Sequence, residues 1–371
     1  MYIKMNSFIK TYKYFLLYAG MTPLLCVTAI YSARKWPDIG QFYSSYIFPI
    51  LPNTFGRFFS IFPFSFLEVS IYILAVGLIF FMFVIISSLF SKNFRHKLLL
   101  HIPRFIIITL CFCSTIFLMI TLSCSINYSR DGVSKDIGMS IAPSSHEDLV
   151  NLCLLLIDDV TYITSLEGFS DEIPAVDLHN QTKLAMNALG TEYPSLKGYY
   201  PDPKPVIMSS WMSDIDLTGL FSPYTIEANY NNDVVRYIKP YTICHELAHL
   251  QGYIREDDAG FIAYLACSNS ESVELQYSGA MNALSFALNA LYSDSTEEEY
   301  QEILGKLPKK ALADFTENQQ YWQSHEGIAA EISSAANDTY LKANAQAEGV
   351  KSYGRMVDLL LAHYGLNNGL V

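Results

Sequence analysis

The chemistry of this chain is concentrated in ten consecutive residues, Ile243-Cys244-His245-Glu246-Leu247-Ala248-His249-Leu250-Gln251-Gly252. On a helix, positions four apart share a face, so His245 and His249 can present imidazole nitrogens to one metal ion. Glu246 sits one residue round from that face, where its carboxylate can take a proton from water instead of ligating. A catalytic zinc takes three protein ligands and keeps a further position open, so a third ligand is required. Gly252 allows the chain to turn sharply back after the helix. Arg255, just past the turn, cannot ligate. Glu256, Asp257 and Asp258 can, and an acid not used as a ligand is free to orient a ligand histidine. The pattern implies a Zn2+ cofactor and metal-assisted hydrolysis with Glu246 as general base.

The elements around the motif must hold that geometry. Pro240 suits a helix start and Gly252 a helix end. The helix between them is too short and too polar to be a membrane span, which excludes an intramembrane protease. Ser144-x-x-Glu147 predicts a capping box, Pro174 opens a second helix that ends near Gly190, and residues 200–205 read as a Pro-rich linker. Residues 206–208 and 219–229 have strand character, the second interrupted by Pro223 and therefore expected at a sheet edge. That edge, with Tyr224, Thr225, Glu227 and Asn229, is the expected cradle for an extended peptide or protein substrate. From Pro240 onward helices are expected nearly to the end, at 256–267, 271–292, 296–304, 311–322, 328–341 and 350–364. The expected class is α+β, weighted to helix.

The N-terminal end has a different composition. Before Ser125 there are ten Lys/Arg against two acids, a formal +8, and after it fourteen against thirty-four, a formal −20, for a total of −12. The acidic portion argues against a phosphate-backbone partner, so a nucleic-acid function is set aside. Residues 14–33, 70–90 and 105–124 carry no charge and each matches the roughly 20 residues a helix needs to cross a bilayer. Residues 1–125 are therefore expected as a three-span anchor in the lipid bilayer, and 126–371 as a separate domain with its own core. The first apolar stretch is longer than a signal-peptide core, so it is read as retained. Lys4, Lys10 and Lys13 before the first span, and Lys92, Arg95, Lys97 and Arg104 between the second and third, favour the N-terminus inside. That orientation places the C-terminal domain outside the cytoplasmic membrane, although Arg34, Lys35 and Arg57 oppose it. The Phe-rich segment between the first two spans is expected at headgroup level. Cys153, Cys244 and Cys267 are too few and too scattered for a disulfide framework.

Three spans, then Phe221-Ser222-Pro223-Tyr224-Thr225-Ile226-Glu227-Ala228-Asn229, then CHELAHLQGYIREDDAGFIAYLAC, and finally Tyr340-Leu341-Lys342-Ala343-Asn344 with Ser352-Tyr353-Gly354-Arg355, form a recognisable order. Over essentially the whole chain it resembles an uncharacterised bacterial membrane family, domain of unknown function 3810, which is grouped with zinc metallopeptidases by its motif. The helix after Gly252 is similar to that of gluzincin peptidases, where E-x-x-x-D supplies a glutamate ligand. The resemblance implies a zincin-like domain with Glu256 as the third ligand, ahead of Asp258 and then Asp257. Gly260 departs from the acidic position of that pattern, leaving Asp257 or Asp258 to orient a ligand histidine. The family's Ser-Tyr-Gly run implies that Tyr353 donates a hydrogen bond to a developing oxyanion, the alternative being a tyrosine packed in the core. His146, His179, His325 and His363 lack ligand spacing and are read as packing or surface residues. The alternative to a peptidase is a non-catalytic sensor or scaffold that keeps the metal site and binds an envelope partner.

Overall fold

Long uncharged apolar runs satisfy their backbone groups internally as helices. The computed structural model, which describes residues 2–167, 169–170, 173–343 and 354–366, accordingly begins with α1 (Tyr2–Lys35), α2 (Phe66–Phe90) and α3 (Lys92–Ile120). Each is long and apolar enough to cross a membrane. α1 and α3 run parallel, with Cys111 Sγ donating to the Phe15 carbonyl at 3.4 Å and Ser114 Oγ to that of Ala19 at 3.1 Å. The expected cationic loop between the second and third spans is corrected. Only Ser91 separates α2 from α3, its hydroxyl accepting from Phe94 N–H at 3.3 Å, and Lys92, Arg95, Lys97 and Arg104 lie on α3 itself. Serine is a good N-cap and Lys and Arg are strong helix formers, so the chain re-enters helix at once.

The segment between α1 and α2 folds into short helical turns and is only partly the expected interfacial stretch. Phe48 is fully buried, and the Tyr43 hydroxyl donates to the Leu122 carbonyl at 2.7 Å, while Phe58 and Ile61 remain exposed. Beyond α3 come α4 (His146–Ser165), α5 (Ala175–Glu192), β1 (Lys204–Val206), α6 (Ser209–Asp214), β2 (Gly219–Ser222) and β3 (Glu227–Asn231). They are followed by α7 (Ile238–His249), α8 (Glu256–Ser268), α9 (Val273–Asp294), α10 (Glu297–Leu304), α11 (Lys309–Gln323), α12 (Ile328–Ala343) and α13 (Gly354–His363). The described residues are thus mostly helical, with one small sheet. The capping box stands one residue later than expected, with Ser145 and Asp148 exchanging side-chain and backbone hydrogen bonds. The expected linker at 200–205 is corrected too: Tyr200 and Lys204 are buried and β1 begins at Lys204.

Strand order in the sheet is β1-β3-β2, with β1 parallel and β2 antiparallel to β3. Pro223 therefore does not mark an edge strand running to Asn229. It falls in a tight hairpin turn closed by Ile226 N–H donating to the Ser222 carbonyl at 2.9 Å, with Ile226 at φ 55°. A residue without an N–H is tolerated in a turn and not in a central ladder. The edge strands are β1 and β2, with β3 between them.

Residues before and after 125 are joined by buried polar contacts. Glu227, on β3, accepts from the N–H groups of Phe66 and Leu67 at 3.1 Å each and from Lys204 Nζ at 2.6 Å. Lys204 Nζ also donates to the Phe59 carbonyl at 2.6 Å. In the reverse direction, Glu68 on α2 accepts from the N–H groups of Ile207 (3.0 Å) and Met208 (2.9 Å). The first N–H groups of a helix lack partners within it, and a carboxylate there also meets the positive end of the helix dipole. Behind the sheet, fully buried Leu152, Leu156, Ile243, Leu247, Phe261 and Leu284 pack α4, α7, α8 and α9 into one core. Cys244 and Cys267 lie there as free thiols, sulfur to sulfur 3.9 Å.

Candidate metal centre

α7 buries Ile243, Cys244, Leu247 and Ala248 against that core, which leaves the His245/His249 face toward a cleft. At its N-terminal end the Tyr241 N–H donates to Ser278 Oγ at 3.0 Å. At the other end Gly252 adopts φ +82°, and a Cβ there would stand 3.1 Å from the Phe48 ring. Glycine is the residue that takes this conformation without cost. The turn it makes brings Glu256, the first residue of α8, back over the two histidines.

His245 Nε2 lies 3.0 Å from Glu256 Oε2, and His249 Nε2 lies 4.0 Å from Glu256 Oε1. The imidazoles stand nearly perpendicular, at 87°, with centroids 4.7 Å apart, and the three donor atoms fall within 4.8 Å of one another. Ligands at about 2.0–2.1 Å in a tetrahedron are separated by about 3.3 Å, so the observed spacing brackets what a zinc ion needs. The tautomer also fits. His249 Nδ1 faces the Tyr253 carbonyl at 2.7 Å. A carbonyl only accepts, so the proton is on Nδ1 and the Nε2 lone pair points toward Glu256.

Glu246 lies beside this group, nearly buried, with the Phe221 N–H of β2 bonded to its carboxylate. Burial pushes its pKa up to about 8 against the lowering influence of His245. Burial likewise draws His249 down to about 4, helped by the charge of His245. For His245 burial acts downward, but the hydrogen bond and charge of Glu256 outweigh it and the net shift is upward. Burial acts upward on Glu256, and the two histidines outweigh it, so its carboxyl is held below the usual range. The two glutamates are thus pushed in opposite directions.

A family described as a protein of unknown function (DUF3810) matches residues 43–361. The chain belongs to this family. No curated protein and no solved structure matches it. The DUF3810 description supplies no activity, so the chemistry has to be read from the residues.

The acids after Glu256 in this DUF3810 chain do not serve the histidines as expected. Asp258 accepts from Val133 N–H at 2.9 Å and from Arg255 Nε at 2.7 Å, and Asp257 lies 3.2 Å from Arg355 Nε. Successive helix positions are about 100° apart, so only Glu256 of the three faces α7. The orienting contact to His249 is instead the Tyr253 carbonyl. The non-acidic Gly260 has a steric reason: a Cβ there would come within 2.9 Å of the Tyr241 hydroxyl, which donates to the Gly260 carbonyl at 3.0 Å.

The expected substrate cradle is corrected in part. Tyr224 lines the cleft, but Thr225 is turned to Ser222 and Glu227, each at 2.6 Å. Glu227 and Asn229 sit on the central strand, Glu227 holding Lys204 and α2 and Asn229 donating to the Leu220 carbonyl at 3.2 Å. The strand that passes over the centre is β2, where a Cβ on Gly219 would stand 2.4 Å from Glu246 Oε1. Tyr353 lies outside the described residues. Sequence reasoning missed Tyr340 and Tyr128, whose rings meet edge-on at a centroid distance of 6.3 Å and which both line the cleft. They come from segments more than two hundred positions apart in the chain, and no local pattern connects them. Of the histidines outside the centre, His146 bonds Asp294 and Glu299, His179 bonds Tyr230, His325 bonds Asp214, and His363 packs on Phe261 and Tyr264.

Proposed function

We propose that this DUF3810 protein is a membrane-anchored zinc metallopeptidase with a zincin-like domain, its centre lying outside the cytoplasmic membrane. The observation that carries the reading is the convergence of His245, His249 and Glu256 donor atoms within 4.8 Å, beside a buried Glu246 and next to the edge strand β2. Zinc in such a site acts as a Lewis acid on a peptide carbonyl and makes water nucleophilic near neutral pH. His245, His249 and Glu256 hold it. Glu246, held beside the three ligands, takes the water's proton and returns it to the departing amine. The Phe221 N–H keeps that carboxylate in place. An extended peptide laid beside β2, an edge strand, has Leu220 and Tyr224 as side-chain contacts.

The test is made on the purified full-length protein. One zinc per chain is expected by elemental analysis, falling sharply in His245→Ala and His249→Ala. Peptide products are expected with zinc and not with chelator, and Glu246→Gln should keep the metal while losing at least about a hundredfold in turnover. Unchanged zinc in both histidine variants refutes the metal assignment. Full zinc occupancy with no product from any peptide pool favours the non-catalytic sensor or scaffold.

A further inference from the structure

The cleft beside the centre, about 750 Å³, has an unusual second wall. Leu67 is the second residue of α2, Ile120 the last of α3, and Cys124 lies in the turn that continues it, so the ends of two membrane-span candidates face the histidines. No linker separates the centre from those ends, because Glu227 holds the Phe66 and Leu67 N–H groups and Glu68 holds those of Ile207 and Met208. The surface at the same level is apolar. Ile207 is 77% exposed, Met208 49% and Trp211 44%, and in the segment leading to α2, which Lys204 holds at the Phe59 carbonyl, Phe58 and Ile61 are 54% and 73% exposed. A cluster of this kind is costly in water and favoured at the headgroup level, where indole and phenyl rings collect.

We infer that the cleft takes the juxtamembrane stretch of a membrane-anchored polypeptide, in extended form, in preference to a freely soluble peptide; this rests on the peptidase reading above. The collar of Ile207, Met208, Trp211, Phe58 and Ile61 seats the cleft at the bilayer surface. A chain leaving the bilayer beside α2 and α3 then reaches β2 within a few residues. The apolar cleft wall of Leu67, Ile120, Leu220, Phe286 and Met356 suits the apolar and aromatic residues that border a membrane anchor.

The experiment uses the full chain in phosphatidylethanolamine–phosphatidylglycerol vesicles, carrying Glu246→Gln and a photoreactive benzoylphenylalanine in place of Leu220. The probe is one randomised peptide pool, either free or joined to a single apolar helix in the same bilayer by a spacer of about 4 or about 40 residues; the shorter reaches roughly 14 Å when extended. The short-spacer probe should crosslink at least about tenfold more than the free pool, and no less than the long-spacer probe. Crosslinking by the long spacer alone, equal capture of the free pool, or no capture of any probe overturns the inference. A second measurement is independent of the crosslinker. With Trp36→Phe and Trp322→Phe, Trp211 is the only one of the three tryptophans left, and nitroxide-labelled lipid should quench it; unquenched emission also overturns the inference. Product formation by the wild-type protein with zinc is scored separately. Short-spacer capture without product from any probe defeats the peptidase reading and leaves the membrane-level binding site standing.

Discussion

Glu246 and Glu256 are carboxylates of the same cleft, and their surroundings divide the work between them. Glu256 is held ionised by the imidazoles it faces, as a ligand must be, whereas Glu246 is pushed up by burial, as a base should be. Glu256→Ala should therefore empty the centre of zinc, while Asp258→Ala should leave zinc near wild-type occupancy and instead lower the melting temperature, since it releases Val133 and Arg255. Zinc lost in Asp258→Ala with the fold intact would mean that the ligand is misassigned. Gly252→Ala places a side chain at φ +82°, which costs roughly 1–2 kcal/mol, and presses it on the Phe48 ring. A lower denaturation midpoint is expected, and an unchanged midpoint would remove the steric argument for the turn. The grouping of His245, Glu246, His249 and Glu256 was legible because helix periodicity and one glycine turn are local. Arg255 is a local partner of Asp258, but Val133 and Arg355 were not legible as partners of Asp258 and Asp257, because they reach them from distant parts of the chain.

Elements were legible where a local rule decides them and illegible where a neighbour does. The helices from α7 to α11 begin and end close to their expected positions, because caps, turns and apolar spacing are written in the residues themselves; the expected start of the last helix, at 350, lies outside the described residues. Whether a strand is an edge or a centre depends on what pairs with it, and Pro223 signalled a break without saying that β1 would come to lie against β3. The same non-local pairing turned Glu227 from an expected substrate contact into the cap of α2. That role has a testable signature. Removing one partner of a buried ion pair costs about 3–5 kcal/mol, whereas replacing both with apolar residues is often neutral. Here Lys204→Met with Glu227→Met should remain destabilised, by about 1–3 kcal/mol for each N–H group left unpaired, because Phe66 and Leu67 lose their acceptor as well. Thermal unfolding of the two single variants and the double variant in detergent checks it. A double variant as stable as wild type would show that the carboxylate does not fix α2.

At the scale of the whole molecule, three helices long and apolar enough to cross a membrane were legible from length and composition, but their mutual arrangement was not, and it changes the warrant for orientation. α1 and α3 are parallel, so Lys10 and Lys13 near the start of one lie at the same end as Lys92, Arg95 and Lys97 at the start of the other. The end that meets the sheet carries Arg34, Lys35 and Arg57. Cations near span ends resist translocation, so the end where five lie together is expected in the cytoplasm, with the sheet, the cleft and the metal centre on the opposite side. Protease added to intact spheroplasts should then digest the portion after α3 and spare the α2–α3 junction at Ser91, and an export-dependent reporter fused at the C-terminus should be active. A protected C-terminal portion would reverse the orientation. It would move the candidate substrates from anchored envelope polypeptides to membrane proteins with juxtamembrane segments in the cytoplasm, while the geometry of His245, His249 and Glu256 against α2 and α3 would be unchanged, because the contacts that fix the centre to the span ends lie on one side of the bilayer in either orientation.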